Sequence, residues 1–299
     1  MFKLGLKGTK NAIACGLSAG DSPFKEFMKI RIFLVLLSLV MLFGLIACGE
    51  TNGGSTTSES VTSESSSESE TASESVHTPK GNYITAILGD SLTDKGVYSD
   101  IVTEHYTDYL YEHCPFIENI QNLGYAGSCI AGLPDKEGKM SPSFVERCNQ
   151  IKANVNLVIV FGGTNDYGIG SSTLPNPLGT YGDESPETFY GGLFTLINNI
   201  EKDHPNAKIV FVTPIYRREQ EMGGIPYKNK YGFTLDEYAA AITETCEKRG
   251  LSCIDAFNGL SEINAGTYEE YEVDGLHLNN DGNILLGKYL AQELEKILD

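Results

Sequence analysis

From residue 83 to residue 298 the chain repeats one arrangement: a short run rich in Val, Ile and Phe, then a stretch of helical length mixing apolar and polar residues. The runs fall at 83–88, 117–123, 157–161, 209–214 and 251–254, and the longer stretches at 93–114, 143–153, 186–202, 235–249 and 283–298. Runs this short read as strands covered on both faces, the pattern of a parallel sheet. Parallel neighbours require crossovers, which are right-handed within one sheet. The expected fold is therefore α/β, a three-layer α/β/α sandwich around a five-stranded parallel sheet. Pro205 and Gly250 stand where helices should stop. Two long irregular stretches, 167–185 and 216–234, follow strand carboxyl ends, where open sheets of this kind hold their ligands.

The N-terminal part does not share this pattern. Met28-Lys29-Ile30-Arg31 carries two positive charges, and an almost wholly apolar segment then runs from Ile32 to Leu45-Ile46-Ala47-Cys48. That is the layout of a signal peptide, and its ending resembles the bacterial lipobox, which implies Cys48 as a lipid-bearing anchor. The alternative is an uncleaved anchor helix; in both readings the protein is tethered to a membrane. Residues 1–27 precede a plausible start at Met28. Within them Gly16-Leu17-Ser18-Ala19-Gly20 matches the G-x-S-x-G pattern, but no strand-forming run precedes it, and the match reads as chance. Residues 49–79 are mostly Ser, Thr and Glu, which cannot bury enough apolar surface to offset the entropy of ordering. The expected organisation is thus an extension and lipoprotein signal peptide (1–48), an extended acidic linker (49–79) and one folded domain (80–299), placed outside the cytoplasm on the cell surface.

With 40 acidic against 22 basic residues the chain carries a net charge of −18 and shows no basic cluster, so nucleic acid is not an expected partner. Cys114, Cys129, Cys148, Cys246 and Cys253 are odd in number and lack C-x-x-C spacing. They read as small apolar packing residues rather than as a disulfide framework or zinc site. Gly132 to Gly138-Lys139 is one residue too long for a phosphate loop, and nucleotide binding is discounted. His77, His105, His113 and His204 have no motif around them and read as solvated or structural.

Four segments remain that carry chemistry. Gly89-Asp90-Ser91-Leu92 closes the first strand run, where a serine can be held rigidly at a strand-to-helix junction. Asp274-Gly275-Leu276-His277 supplies a base and its orienting carboxylate from one short loop, as a serine nucleophile requires. Asn122-Leu123-Gly124-Tyr125-Ala126-Gly127-Ser128 and Phe161-Gly162-Gly163-Thr164-Asn165-Asp166 follow the second and third runs. A backbone N–H at a glycine and a side-chain amide are suitable donors to a developing oxyanion; Gly127 and Asn165 are the candidates. Asp166 reads as a turn or supporting residue.

In this order the four segments resemble the SGNH (GDSL) hydrolase superfamily, and the resemblance spans nearly all of 80–299. It implies a flavodoxin-like sandwich, Ser91 as nucleophile, His277 as base and then acid, Asp274 as its orienter, and an oxyanion hole of the Ser91 and Gly127 N–H groups with the Asn165 amide. It requires no metal or organic cofactor. The segments around Asn165, Tyr190 and Tyr216 resemble extracellular carbohydrate-esterase-like members. Asp90, Tyr167, Tyr190 and Tyr216 are the candidate substrate-binding residues, and these tyrosines, with Tyr181, either stack on sugar rings or pack the loops. The expected reaction is hydrolysis of small acyl esters, acetyl first among them, on a glycan. The alternatives are a lysophospholipase or lipase-like esterase and a cell-surface glycan-binding module without turnover. The oligomeric state is not legible.

Overall fold

Five parallel strands form the central sheet: β1 (Tyr83–Gly89), β2 (Ile117–Gly124), β3 (Leu157–Phe161), β4 (Lys208–Val212) and β5 (Ser252–Ile254), in the order β2-β1-β3-β4-β5. The computed structural model describes residues 81–132, 142–168 and 176–298, all within the compact unit Ala72–Asp299. The leader, the linker, Cys48 and the Gly16–Gly20 match lie outside the described residues, as does most of 132–139.

Alternation along the strands builds the two cores. Ile87, Leu157, Ile159, Phe161, Val210 and Val212 face one way, onto Tyr106 and Leu110 of helix α1 (Tyr106–His113) and Leu286, Leu290 and Leu294 of α8 (Asn280–Leu298). Ala86, Leu88, Val158, Val160, Ile209 and Phe211 face the other, onto α4 (Phe189–Asp203) and α5 (Leu235–Arg249). The sheet is thus covered on both sides, as the apolar runs require. The exception is β2, an edge strand paired only to β1, where Glu118 and Asn119 meet solvent. Cys114, Cys129, Cys148 and Cys246 are buried within these layers.

Helix α5 shows why its bounds were legible. Thr234 caps its start in a capping box with Glu237, and Gly250 ends it at φ 67°, a conformation glycine adopts without steric cost. The stretch 93–114 is a correction, because only Tyr106–His113 is helical. Local side-chain bonds compete there with the helix. Asp94 Oδ1 accepts from Gly96 N (2.9 Å), and Asn280 Oδ1 accepts from Thr103 N (2.9 Å) and Glu104 N (3.0 Å). The stretch 143–153 is likewise shorter than expected: α2 (Phe144–Arg147) followed by a 3₁₀ turn, Cys148–Gln150. Residues 216–234 hold a small antiparallel hairpin, Glu221–Met222 with Ile225–Pro226. Three further one-turn helices, α3 (Thr164–Tyr167), α6 (Ala256–Gly259) and α7 (Tyr268–Tyr271), follow the carboxyl ends of β3 and β5.

Candidate active site

Ser91 lies one turn beyond β1. Asp90 O accepts from Thr93 N (3.1 Å) and Asp94 N (3.0 Å), and Asp90 Oδ1 accepts from Leu92 N (2.9 Å), so the turn bearing Ser91 is closed on itself. Gly89 permits this closure, since a Cβ there would lie 1.9 Å from Thr93 Oγ1. Opposite stands a hairpin zipped by the Glu272–Leu278 bridge and by Val273 N donating to His277 O (2.7 Å). Gly275 turns it at φ 91°. Asp274 Oδ1 accepts from Leu276 N (3.1 Å) and His277 N (2.9 Å), leaving Oδ2 to meet His277 Nδ1 at 2.9 Å. His277 Nε2 reaches Ser91 Oγ at 2.9 Å. Two groups 186 residues apart in sequence are thereby joined in one hydrogen-bonded chain, Ser–His–Asp. Burial works to raise the Asp274 pKa, but the donors on it outweigh that and hold the carboxylate below its ordinary value. An ionised Asp274 holds the imidazole with Nδ1–H toward itself and Nε2 toward the serine.

The glycine segment and the β3 segment meet beside this chain. Asn165 Nδ2 donates to Ser128 O (3.0 Å), so the amide lies next to Gly127. Gly127 has φ 75°, a left-handed backbone suited to glycine. Gly124 is the weaker oxyanion candidate, because its N–H already donates to Asn122 Oδ1 (2.8 Å); its glycine serves close packing, since a Cβ there would lie 2.3 Å from the Thr93–Asp94 backbone. Asp166 is fully buried and braces this region. It accepts from Ile130 N (2.8 Å), Ala131 N (3.0 Å) and Asn176 Nδ2 (2.8 Å), while burial pushes its pKa up to about 6.

Several candidate substrate contacts are corrected. Asp90 is 1% exposed and shapes the Ser91 turn from beneath; burial pushes it up to about 6. Tyr167 is fully buried, edge-on to Tyr238, with its hydroxyl donating to Tyr227 O (2.8 Å). Tyr216 is buried and stacked on Tyr268. Tyr190 hydrogen-bonds Glu244 of α5 and packs edge-on to Tyr181. Tyr167 and Tyr216 therefore pack the interior, where an aromatic side chain with a partner for its hydroxyl is readily accommodated, whereas Tyr190 is half-buried and Tyr181 exposed.

Sequence reading missed two buried arginines. Arg147 donates to Gly89 O (2.9 Å), Ser128 Oγ (2.9 Å), Pro142 O (3.2 Å) and Leu123 O, binding the ends of β1 and β2 to the glycine segment. Arg217 donates to Thr164 O and Oγ1 (both 3.1 Å), directly behind Asn165. A single arginine outside any motif carries no signal in one sequence.

Glu272, at the base of the His277 hairpin, is 5% exposed, and neither carboxyl oxygen meets a donor among the described residues. Burial first, and then Asp274 and Glu219, push it up to about 8. An unfolded glutamate ionises near pH ~4.3. Between that pH and about 8 the folded state therefore holds a proton that the unfolded state has lost, and stability falls as pH rises. Glu272→Gln removes this contribution. Its thermal midpoint should match the parent near pH 4 and exceed it increasingly toward pH 8, by roughly 2 kcal/mol or more in stability. A difference independent of pH in thermal melts would refute this.

A parallel sheet carrying a hydrogen-bonded Ser–His–Asp chain at strand carboxyl ends defines a serine hydrolase of α/β architecture. Residues 87–284 match the model of the GDSL-like lipase/acylhydrolase family, and the chain belongs to that family, a serine ester hydrolase. Among solved structures, a Lactobacillus plantarum protein is 29% identical with a TM-score of 0.60, the match covering 72% of this chain and 98% of that one. A structure described as a possible lipase from Chitinophaga pinensis shares the fold at 20% identity and a TM-score of 0.56, with 72% and 99% coverage. A search of the curated proteins returns no match.

Proposed function

We propose that this protein removes small acyl groups, acetyl first among them, from a carbohydrate, working outside the cytoplasm on a lipid anchor at Cys48. The observation that carries the ester hydrolysis in this reading is the Ser91–His277–Asp274 chain at 2.9 Å spacing. His277 Nε2 takes the Ser91 proton as Oγ attacks the ester carbonyl, Asp274 stabilises the imidazolium, and the imidazolium then protonates the leaving alcohol. Water repeats the sequence on the acyl-enzyme. The Ser91 and Gly127 N–H groups and the Asn165 amide are assigned to the tetrahedral oxyanion.

Support for a short acyl group comes from the small, partly open recess that Ser91, Leu92, Val97, Tyr98 and His277 line, about 20 Å³. That is about the room of one water. Tyr125, 47% exposed two residues before Gly127, is an aromatic face suited to a sugar ring. The acidic chain disfavours an anionic glycan. A lipase-like reading draws on the 222–225 hairpin tip, where Met222 and Ile225 are 70% and 71% exposed. A chain-length series of p-nitrophenyl esters, run beside an acetylated xylo-oligosaccharide, decides between them. The expected optimum is at acetate with acetate release from the sugar; a long-chain optimum would transfer the assignment to lipid. Labelled palmitate should be incorporated into the parent and not into Cys48→Ala, and equal labelling of the two would refute the anchor.

A further inference from the structure

Tyr98 stands out among the described residues as the non-glycine with positive φ, at 54°. A tyrosine rarely adopts that left-handed conformation, and such residues persist only where the surroundings hold them. Its carbonyl accepts from Ile101 N (2.9 Å) and Val102 N (2.8 Å), forming a turn in the loop between the Ser91 elbow and α1. The loop is pinned beyond the turn by Asn280 at the start of α8. With the backbone so placed, the Tyr98 hydroxyl donates to Asp274 Oδ2 at 2.9 Å, the same oxygen that meets His277 Nδ1. The ring also lies edge-on to the His277 imidazole, with centroids 5.6 Å apart at 64°.

We infer that Tyr98 is a positioning residue of the hydrolytic site, acting through Asp274 and His277 rather than on substrate. The inference rests on the Ser91–His277–Asp274 reading and adds to it a link from the nucleophile side of the site to the base side. Three donors then converge on the Asp274 carboxylate besides the His277 ring: two hairpin N–H groups on Oδ1 and one phenol on Oδ2. The phenol fixes the rotation of the carboxylate and shares its negative charge, moderating how strongly Asp274 holds the imidazolium. The hydroxyl bond also raises the phenol's own pKa, which keeps it a donor throughout the working range.

Tyr98→Phe keeps the ring and removes the donor. We expect kcat to fall about tenfold with KM unchanged within about twofold, as for a lost hydrogen bond to a charged group. The acid limb of kcat/KM should move to higher pH by about half a unit, because Asp274 with one donor fewer favours the protonated imidazole. Other titratable groups near the pair are Asp90 from the β1 turn, Asp94 across the crevice, Glu272 at the hairpin base and Arg218 against Gly275; His105, lining the same crevice, is pushed down to about 4 by burial. All are unchanged by the substitution. Tyr98→Gly relieves the left-handed backbone but removes both the ring and the hydroxyl bond, so its kcat should fall at least as far as that of Tyr98→Phe. In an Asp274→Asn background, Tyr98→Phe should cost little more, since the two act as one unit. Wild-type kcat and an unmoved acid limb in Tyr98→Phe, with Ser91→Ala inactive, would overturn the inference and leave the serine mechanism standing. Activity surviving in Ser91→Ala would instead sink the reading on which it rests.

Discussion

Ser91→Ala lowers kcat on p-nitrophenyl acetate by on the order of 10⁴-fold or more, with KM changed by no more than about threefold. The magnitude follows from the role. Without Oγ no acyl-enzyme forms, and His277 has no nucleophile at 2.9 Å to activate. Residual turnover would come from water entering beside the oxyanion donors. The substitution removes one small hydroxyl at a position 8% exposed, so the fold and the thermal midpoint should stay as they are. The check is steady-state kinetics together with labelling by a fluorophosphonate probe, which should modify the parent at Ser91 and leave the variant unmodified. Kinetics within tenfold of the parent would refute the serine mechanism outright.

Arg147→Met produces the largest loss of stability expected here, about 3–5 kcal/mol. Arg147 is 3% exposed, and its guanidinium supplies hydrogen bonds to three backbone carbonyls and the Ser128 hydroxyl. It also lies over the Phe144 and Tyr125 rings, at 5.1 and 5.7 Å from their centroids. Methionine replaces the packing of the stem but leaves Gly89 O, Leu123 O and Pro142 O without this donor. Gly89 O keeps Tyr125 N (3.1 Å) and Pro142 O keeps Ser128 Oγ (2.6 Å), so the cost is that of the four lost guanidinium bonds. For a domain of this size the thermal midpoint should drop by about 10 °C. Because Gly89 precedes the Ser91 turn and Ser128 follows Gly127, kcat should fall as well. Arg147→Lys should recover only part of the loss, since an ammonium cannot reach all these acceptors from one point. A melt within about 2 °C of the parent would show that these bonds are dispensable.

How much of this site was legible depended on where each residue's partners lie in the sequence. Asp274 and His277 announced themselves because base and orienter sit three residues apart on one hairpin, and Ser91 because an apolar run ends immediately before it. Gly127 was the candidate from the sequence, and the coordinates add the reason that Gly124 is the weaker one, its N–H being occupied by Asn122. The tyrosines misled for a related reason. Tyr167 and Tyr216 occur in glycine- and proline-rich stretches that look exposed, yet Tyr238 and Tyr268, distant in sequence, cover them.

Two periodicities and four short segments were enough, from the sequence by itself, to indicate a parallel α/β sheet, the strand runs, helix α5 to the residue, and the three residues Ser91, His277 and Asp274 that the structure joins in one hydrogen-bonded chain. Those are local properties, set by backbone propensity, by alternation of buried faces and by capping. Tertiary structure alone decided the loop at 93–105, the burial of Asp90 and Glu272, the bracing by Asp166 and Arg147, and the contact of Tyr98 with Asp274. Each of these joins groups that no short-range pattern connects; Tyr98 and Asp274 are 176 residues apart. Burial and hydrogen bonding between distant segments arise only when the sheet brings its strand ends together, and the chemistry of this protein is placed at those ends.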